Sequence, residues 1–307
     1  MANESLLGSP SRCVAYLGVL RGESLRQVLG LFKLRIGVVI AFTALAGWAV
    51  TPGPQLAAWQ VVVLGLAVLL SSASAGAFNQ YVESDLDSRM KRTRKRAFVT
   101  GALPRSRLWL WVIGGLVVGS TAAAWWALNP WAALYTFLGA FVYAVVYTVW
   151  LKRRTWLNIV VGGLAGSFAV LAGAAAVDPA IGPVPLILAL VLFLWTPPHF
   201  WSLAMAYRKD YEAAGVPMLP VVVGDERSAR AIFAHTVLLV ALSLVPAFRG
   251  VGWVYFAAAL GGGGWFVVTS WRLVRDPGPK AAMVNFHASL MQLSVLLVAA
   301  VAAGLWG

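Results

Sequence analysis

Nine runs of apolar residues, each long enough to cross a bilayer as a helix, follow one another along this chain. About 20 apolar residues in helical form span the hydrocarbon core. The runs lie near 36–51, 58–78, 108–128, 131–150, 157–177, 183–205, 230–248, 251–271 and 282–306. The expected fold class is therefore all-α, an integral membrane protein of nine transmembrane helices. Composition agrees: 60% hydrophobic and 11% charged residues with a mean hydropathy of +0.79 exclude a soluble domain of this length. The runs are rich in Gly and Ala, which lets neighbouring helices approach closely. Gly261 to Gly264 form a four-glycine run inside the eighth, expected to be a flexible or tightly packed point.

Residues 1–31 read as a cytoplasmic N-terminal lead-in, and 32–307 as one polytopic membrane domain. Arg12, Arg21, Arg26, Lys33 and Arg35 interrupt the first segment too often for a cleavable signal peptide. The single cysteine, Cys13, excludes an internal disulfide.

The basic residues set the orientation. The amino-terminal segment and the loops after the second, fourth, sixth and eighth runs carry five, eight, three, four and three Lys and Arg, or 23 of the 24. Only Arg249 falls on the other face. The positive-inside rule then places the N-terminus in the cytoplasm and the C-terminus outside. The +13 net charge is mostly topological, and nucleic acid is not an expected partner.

The stretch FNQYVESDLDSRMKRTRKR, from Phe78 to Arg96, sets acids and then bases at the end of the second run. Asn79, Glu83 and Asp87 recur every four residues, so on a helix they fall within about 80° of one face. Asp85 lies off that face unless the helix breaks near it. Carboxylates and an amide oxygen suit magnesium, which binds oxygen ligands and often bridges to substrate phosphates. Arg89, Lys91, Arg92, Arg94, Lys95 and Arg96 would then meet a phosphate. The plainer alternative is a solvated loop that helps fix orientation.

A second polar segment, Thr196 to Gly224, follows the sixth run and carries Tyr207, Arg208, Lys209, Asp210, Tyr211 and Glu212. Four runs separate the two segments, which makes them a structural pseudo-repeat. Two such clusters beside an apolar cavity would let two metal ions clamp one diphosphate. His199, Leu203, Ala206 and Asp210 have helical spacing, placing the histidine under Asp210 on one helix, about 16 Å away along the axis. His199 suits either haem iron or general-base work, or a structural bond to a neighbouring carbonyl. His287 is a second candidate, and His235 reads as structural.

The segment NQYVESDLDSRMKRTRKR resembles the signature of the UbiA-type membrane prenyltransferases, in particular the protohaem IX farnesyltransferase (haem O synthase) branch. Asn79, Glu83, Asp85, Asp87, Met90, Arg92 and Thr93 match. Lys152, Arg153, Arg154, Thr155 and Asn158 match in a second stretch, and His199, Asp210, Tyr211, Gly215, Pro217 and Pro220 in a third. Ala97, Leu34 and the Ser167-Phe168-Ala169 stretch depart from prolines usual in the family.

The resemblance implies a UbiA-type intramembrane bundle that transfers a farnesyl group from farnesyl diphosphate to a vinyl group of haem B. It implies metal ligation by Asn79, Glu83, Asp85 and Asp87 on one side and Asp210 on the other. Arg92, Lys152, Arg153 and Lys209 would balance the diphosphate, Mg2+ would be the cofactor, and His199 and His287 are haem-binding candidates. A bacterial plasma membrane is expected over a mitochondrial one, because Met1 to Arg35 holds two acids and no amphipathic Arg/Ser-rich transit helix; the active site is expected on the cytoplasmic side, with a haem A synthase receiving the product. Two alternatives remain. A quinone- or chlorophyll-precursor prenyltransferase would keep the fold, but those relatives carry Asn-Asp where this chain has Asn79-Gln80. A transporter would place ionisable groups near the bilayer midplane.

Overall fold

The computed structural model describes residues 22–306, so Cys13 and most of the proposed lead-in lie outside the described residues. The long helices are α1 (Gly22–Leu31), α2 (Leu34–Ala49), α3 (Ala58–Val82), α4 (Leu108–Ala127) and α5 (Pro130–Leu151). They continue with α6 (Asn158–Val177), α7 (Pro183–Ala206), α8 (Asp225–Arg249), α9 (Trp253–Arg275) and α10 (Pro279–Trp306). Short helices at Ser84–Arg89, Ala97–Thr100, Arg208–Ala213 and Leu219–Val223 occupy the connections.

Seven of these, α3 to α8 and α10, are long and apolar enough to cross a membrane. The pair Leu25–Leu31 and Leu34–Ala49, bent by 46°, makes an eighth if taken as one span. The nine spans read from the sequence are thus supported as seven or eight. The difference lies at α9, which forms a 23-residue helix whose glycines, Ser270, Thr269 and Arg272 dilute its apolar character. Residues 22–31, assigned to the lead-in, are helical, and Leu31 packs with Ala77 and Phe98.

Local chemistry starts the helices where the sequence offers it. Asn129 accepts from the Ala132 amide at 2.9 Å and Pro130 takes the first helical position of α5. Asn129 also donates to Ala175 O at 2.7 Å, tying this start to the end of α6. Asp225 and Glu226 sit in the first turn of α8, where the helix dipole favours negative charge.

Glycine permits the closest helix contacts. A Cβ on Gly173 would lie 1.8 Å from Ala44 O, and one on Gly47 would lie 2.2 Å from Val170 O, so α2 and α6 touch through their backbones. In the four-glycine run, Gly262 meets Gln292 of α10 and Gly263 meets Val240 of α8, whereas Gly261 and Gly264 face open space. Tight packing, rather than flexibility, accounts for that run.

Candidate active site

Two similar constructions carry the polar segments. α3 ends at Val82, Glu83 leaves helical geometry (φ −95°, ψ 15°), and a six-residue helix starts at Ser84. α7 ends at Ala206, Tyr207 breaks it (φ −116°, ψ 30°), and another six-residue helix starts at Arg208. The pseudo-repeat is therefore visible in the backbone. The second break also corrects the expectation of one helix from His199 to Asp210. In the first construction the bonds Glu83 N–Asn79 O (3.0 Å) and Asp87 N–Glu83 O (2.8 Å) carry the turn across the break.

The loops after α3, α5 and α7 meet at one end of the bundle. Lys152 donates to Glu83 Oε2 at 2.5 Å. Arg153 donates to both oxygens of Asp85, at 2.9 and 2.8 Å. Asp210 Oδ2 accepts from the Arg92 amide at 3.4 Å, which joins the second polar segment to the first. Asn79, Glu83 and Asp87 are buried, whereas Asp85, Arg92, Arg153 and Lys209 are exposed at the rim. The Arg153 guanidinium holds the Asp85 carboxyl below the usual carboxylate range, and Asp85 raises Arg153 in return.

Some pairings escaped the sequence reading. Arg96, one of the six bases expected to meet a phosphate, pairs with Asp87: its Nη1 lies 2.8 Å from Oδ1 and 2.7 Å from Oδ2. Lys33 donates to Asn79 Oδ1 at 2.8 Å and to the Tyr143 hydroxyl at 3.4 Å. Its backbone is left-handed (φ 48°, ψ 43°), an uncommon state for a residue with a Cβ, and occurs where α1 bends into α2. Gly76 makes room for its stem, since a Cβ there would lie 3.3 Å from Lys33 Cδ. A lysine set between two apolar stretches was the available signal.

Residues Val142–Leu151 of α5 form a π-helix, a form frequent at functional sites. This widened turn stacks Tyr143 on Tyr147 and aims Thr148 at Asn79, whose Nδ2 donates to it at 3.1 Å. It also delivers Lys152 to Glu83. Lys33 and Lys152 lie 5.9 and 5.6 Å from the Tyr143 and Tyr147 ring centres, within cation–π range.

The acids do not gather into a ready cluster: among the described residues, no three of His, Cys, Asp and Glu converge as a metal site. Each carboxylate of the first segment is drawn instead to its own cation. A hard cation still fits this donor set, because Glu83 Oε1 is enclosed with no hydrogen-bond partner among the described residues and Asn79 lies one turn away. Magnesium commonly takes few protein oxygens and completes its shell from phosphate and water.

Gln80 caps α1, donating to Gly30 O and Leu31 O at 3.1 and 2.9 Å. His199 is buried on α7 and contacts the Ser289 hydroxyl at 2.7 Å, not the carbonyl that one reading expected. His287 is exposed on α10 and meets Phe286 edge-on. His235 packs edge-on against Trp201.

The model of the UbiA prenyltransferase family matches residues 40–302. The chain belongs to the UbiA prenyltransferase family. It is a membrane prenyltransferase of this group, with an all-helical UbiA-type fold. It is 58% identical over 276 residues to protoheme IX farnesyltransferase 2 of Paramagnetospirillum magneticum, covering 90% of this chain and 96% of that protein. Protoheme IX farnesyltransferase 1 of the same organism is 48% identical, covering 92% and 99%. Among solved structures, an apo UbiA homologue from Aeropyrum pernix aligns with a TM-score of 0.70 at 18% identity, covering 87% and 98%. A homologue from Archaeoglobus fulgidus bound to DMAPP and Mg2+ gives 0.66 at 15% identity, covering 88% and 99%.

Proposed function

We propose that this UbiA-family enzyme transfers the farnesyl group of farnesyl diphosphate to a vinyl group of haem B, giving haem O and diphosphate. The observation that carries the reading is the joining of three loops into one charged site at the end of an apolar bundle, with Lys33, Lys152 and Arg96 closing on Asn79, Glu83 and Asp87. The names of the protoheme IX farnesyltransferase relatives support the acceptor. Gln80 stands where quinone-type relatives carry Asp, and that difference supports haem over a quinone precursor.

The chemistry needs charge balance more than a nucleophile. The allylic C–O bond breaks with its electron pair leaving on the diphosphate. The vinyl carbon supplies the electrons for the new C–C bond. Water then adds to the resulting cation and loses a proton, leaving a hydroxyl. Lys152, Arg153, Arg92 and Lys209 neutralise the departing diphosphate oxygens. Lys33 and Arg96, each paired with a buried group at the same spot, join them. Asn79, Glu83 and Asp87 would hold magnesium, with Asp210 opposite and Asp85 at the rim. Bound there, the ion supplies positive charge against the leaving diphosphate. The apolar interior takes the hydrocarbon tail.

In this reading α9 is the ninth span, the N-terminus is cytoplasmic, the C-terminus lies outside, and the site opens to the cytoplasm of a bacterial plasma membrane. The placement of 23 of 24 basic residues supports it. Haem A synthase is the class of enzyme expected to consume the product.

The test is incubation of the purified protein with haem B, farnesyl diphosphate and magnesium, followed by mass spectrometry for haem carrying a hydroxyfarnesyl group. Product lost on chelation is expected. Consumption of farnesyl diphosphate only with a quinone precursor would overturn the acceptor.

A further inference from the structure

His199 is locked from three sides. Trp195 stacks on its ring at 4.1 Å with planes 19° apart, and Phe286 stacks at 4.5 Å and 26°. Phe200 meets it edge-on at 4.9 Å. Nδ1 lies 2.7 Å from Ser289 Oγ. The Ser289 hydroxyl also lies 2.7 Å from Phe286 O, which can take its hydrogen and leave its oxygen to accept from the ring. In that arrangement His199 carries its proton on Nδ1.

That assignment leaves the other nitrogen defined. Nε2 has no hydrogen-bond partner among the described residues, and no acid pairs with the ring. Nor is Nε2 among the fully enclosed unpartnered atoms, unlike Trp201 Nε1 and Gln292 Nε2. A neutral imidazole is thus held with a lone pair on an atom that is not sealed into the core.

The frame behind Ser289 is rigid. One turn earlier on α10, Asn285 accepts from Thr269 and Ser270 of α9 at 2.8 and 2.9 Å and donates to Ser202 of α7 at 2.9 Å. Trp195 Nε1 donates to Ser289 O at 2.9 Å. These bonds fix α7, α9 and α10 around the pair, so the serine cannot drift from the histidine.

We propose that Ser289 is a positioning residue that holds His199 in its Nδ1–H form and presents Nε2 as the axial ligand to the iron of the tetrapyrrole substrate. The proposal rests on the reading that haem is the acceptor. A partner for the distal N–H orients a ligating histidine and raises its basicity, and loss of such a partner typically weakens affinity or activity by roughly 10- to 100-fold. Only the packing of α10 on α7 brings Ser289 to the ring.

The experiment uses the full-length protein in detergent loaded with haem B, read by absorption and by the iron–histidine stretching band of the ferrous form. Wild type should give a histidine-ligated spectrum. His199→Gly should lose it and regain it with added imidazole. Ser289→Ala should lower the stretching frequency and weaken haem binding roughly 10- to 100-fold, and Ser289→Thr, which keeps the hydroxyl, should restore both. An unmoved band in Ser289→Ala overturns the role of Ser289, and a histidine signature in His199→Gly without imidazole overturns the ligand. If wild type binds no haem yet consumes farnesyl diphosphate with a quinone precursor, the acceptor reading falls and this proposal with it.

Discussion

Lys152 and Glu83, 69 residues apart, form a buried ion pair at 2.5 Å, and only one oxygen of the carboxylate is used. Removing the lysine would strand a charge that is 1% exposed. Breaking one side of a buried pair costs about 3–5 kcal/mol. Lys152→Met should therefore lower the melting temperature sharply and abolish turnover. The double variant Glu83→Gln, Lys152→Met should recover most of the stability and none of the activity. Thermal unfolding in detergent beside the farnesyl-transfer assay checks both, and a Lys152→Met protein as stable as wild type would sink the argument.

Asp87→Ala and Asp210→Ala should each lower kcat by about 10²–10³ or more, the scale for losing one preorganised electrostatic element. Membrane insertion should be retained. Asp210 reaches the first segment only through the Arg92 amide, so its loss should leave the melting temperature nearly unchanged. Near-normal turnover in either variant would remove that residue from the site.

Among the described residues, Glu83 Oε1 is enclosed and has no hydrogen-bond partner. If it helps hold magnesium, Glu83→Gln should raise the magnesium concentration needed for half-maximal activity before it alters the affinity for haem. A chelator should stop wild-type turnover, and added magnesium should restore it. An unchanged magnesium dependence in the Gln variant would contradict the assignment.

Asp85 behaves differently because its pair with Arg153 is exposed. Its folded-state pKa is depressed, so the pair's stabilisation is present above the unfolded value of about 3.9. It disappears as pH falls through the lower folded value. Exposed pairs are worth about 0–1 kcal/mol. Asp85→Asn should therefore leave the pH dependence of stability unchanged above about pH 5 and alter it only in acid. Melting temperature measured across pH tests the sign.

Gly173 tests the packing. A Cβ there would lie 1.8 Å from Ala44 O, whereas one on Gly65 meets nothing within 4 Å. Gly173→Ala should destabilise by about 1–3 kcal/mol or rearrange the contact between α2 and α6. Gly65→Ala should be neutral or slightly stabilising. Equal melting temperatures for the two variants would refute the close approach.

The periodic, local part of this protein was legible in advance. Apolar runs report helices because a span must satisfy its own backbone in lipid, and the four-residue spacing of Asn79, Glu83 and Asp87 survives the break at Glu83 because backbone bonds carry the turn across it. The signature segments were also enough to point to the prenyltransferase family. The partners were not legible. Arg92 and Arg96 look alike in a run of bases, and only the fold of Ala97–Thr100 and its neighbours turns Arg96 inward to Asp87. Lys33 reads as one more topological charge until the bend between α1 and α2 and the space at Gly76 carry it to Asn79.

By itself, the sequence determined that this chain is a helical membrane protein, where most of its helices run, and which acids and bases could serve a diphosphate. Tertiary structure alone decided which cation meets which acid, that Glu83 keeps one oxygen unpaired among the described residues, and that His199 meets the Ser289 hydroxyl rather than a carbonyl. The physical reason is range. Helix formation and membrane burial depend on residues a few positions apart, whereas these pairings join atoms 9 to 90 residues apart and depend on how the helices pack.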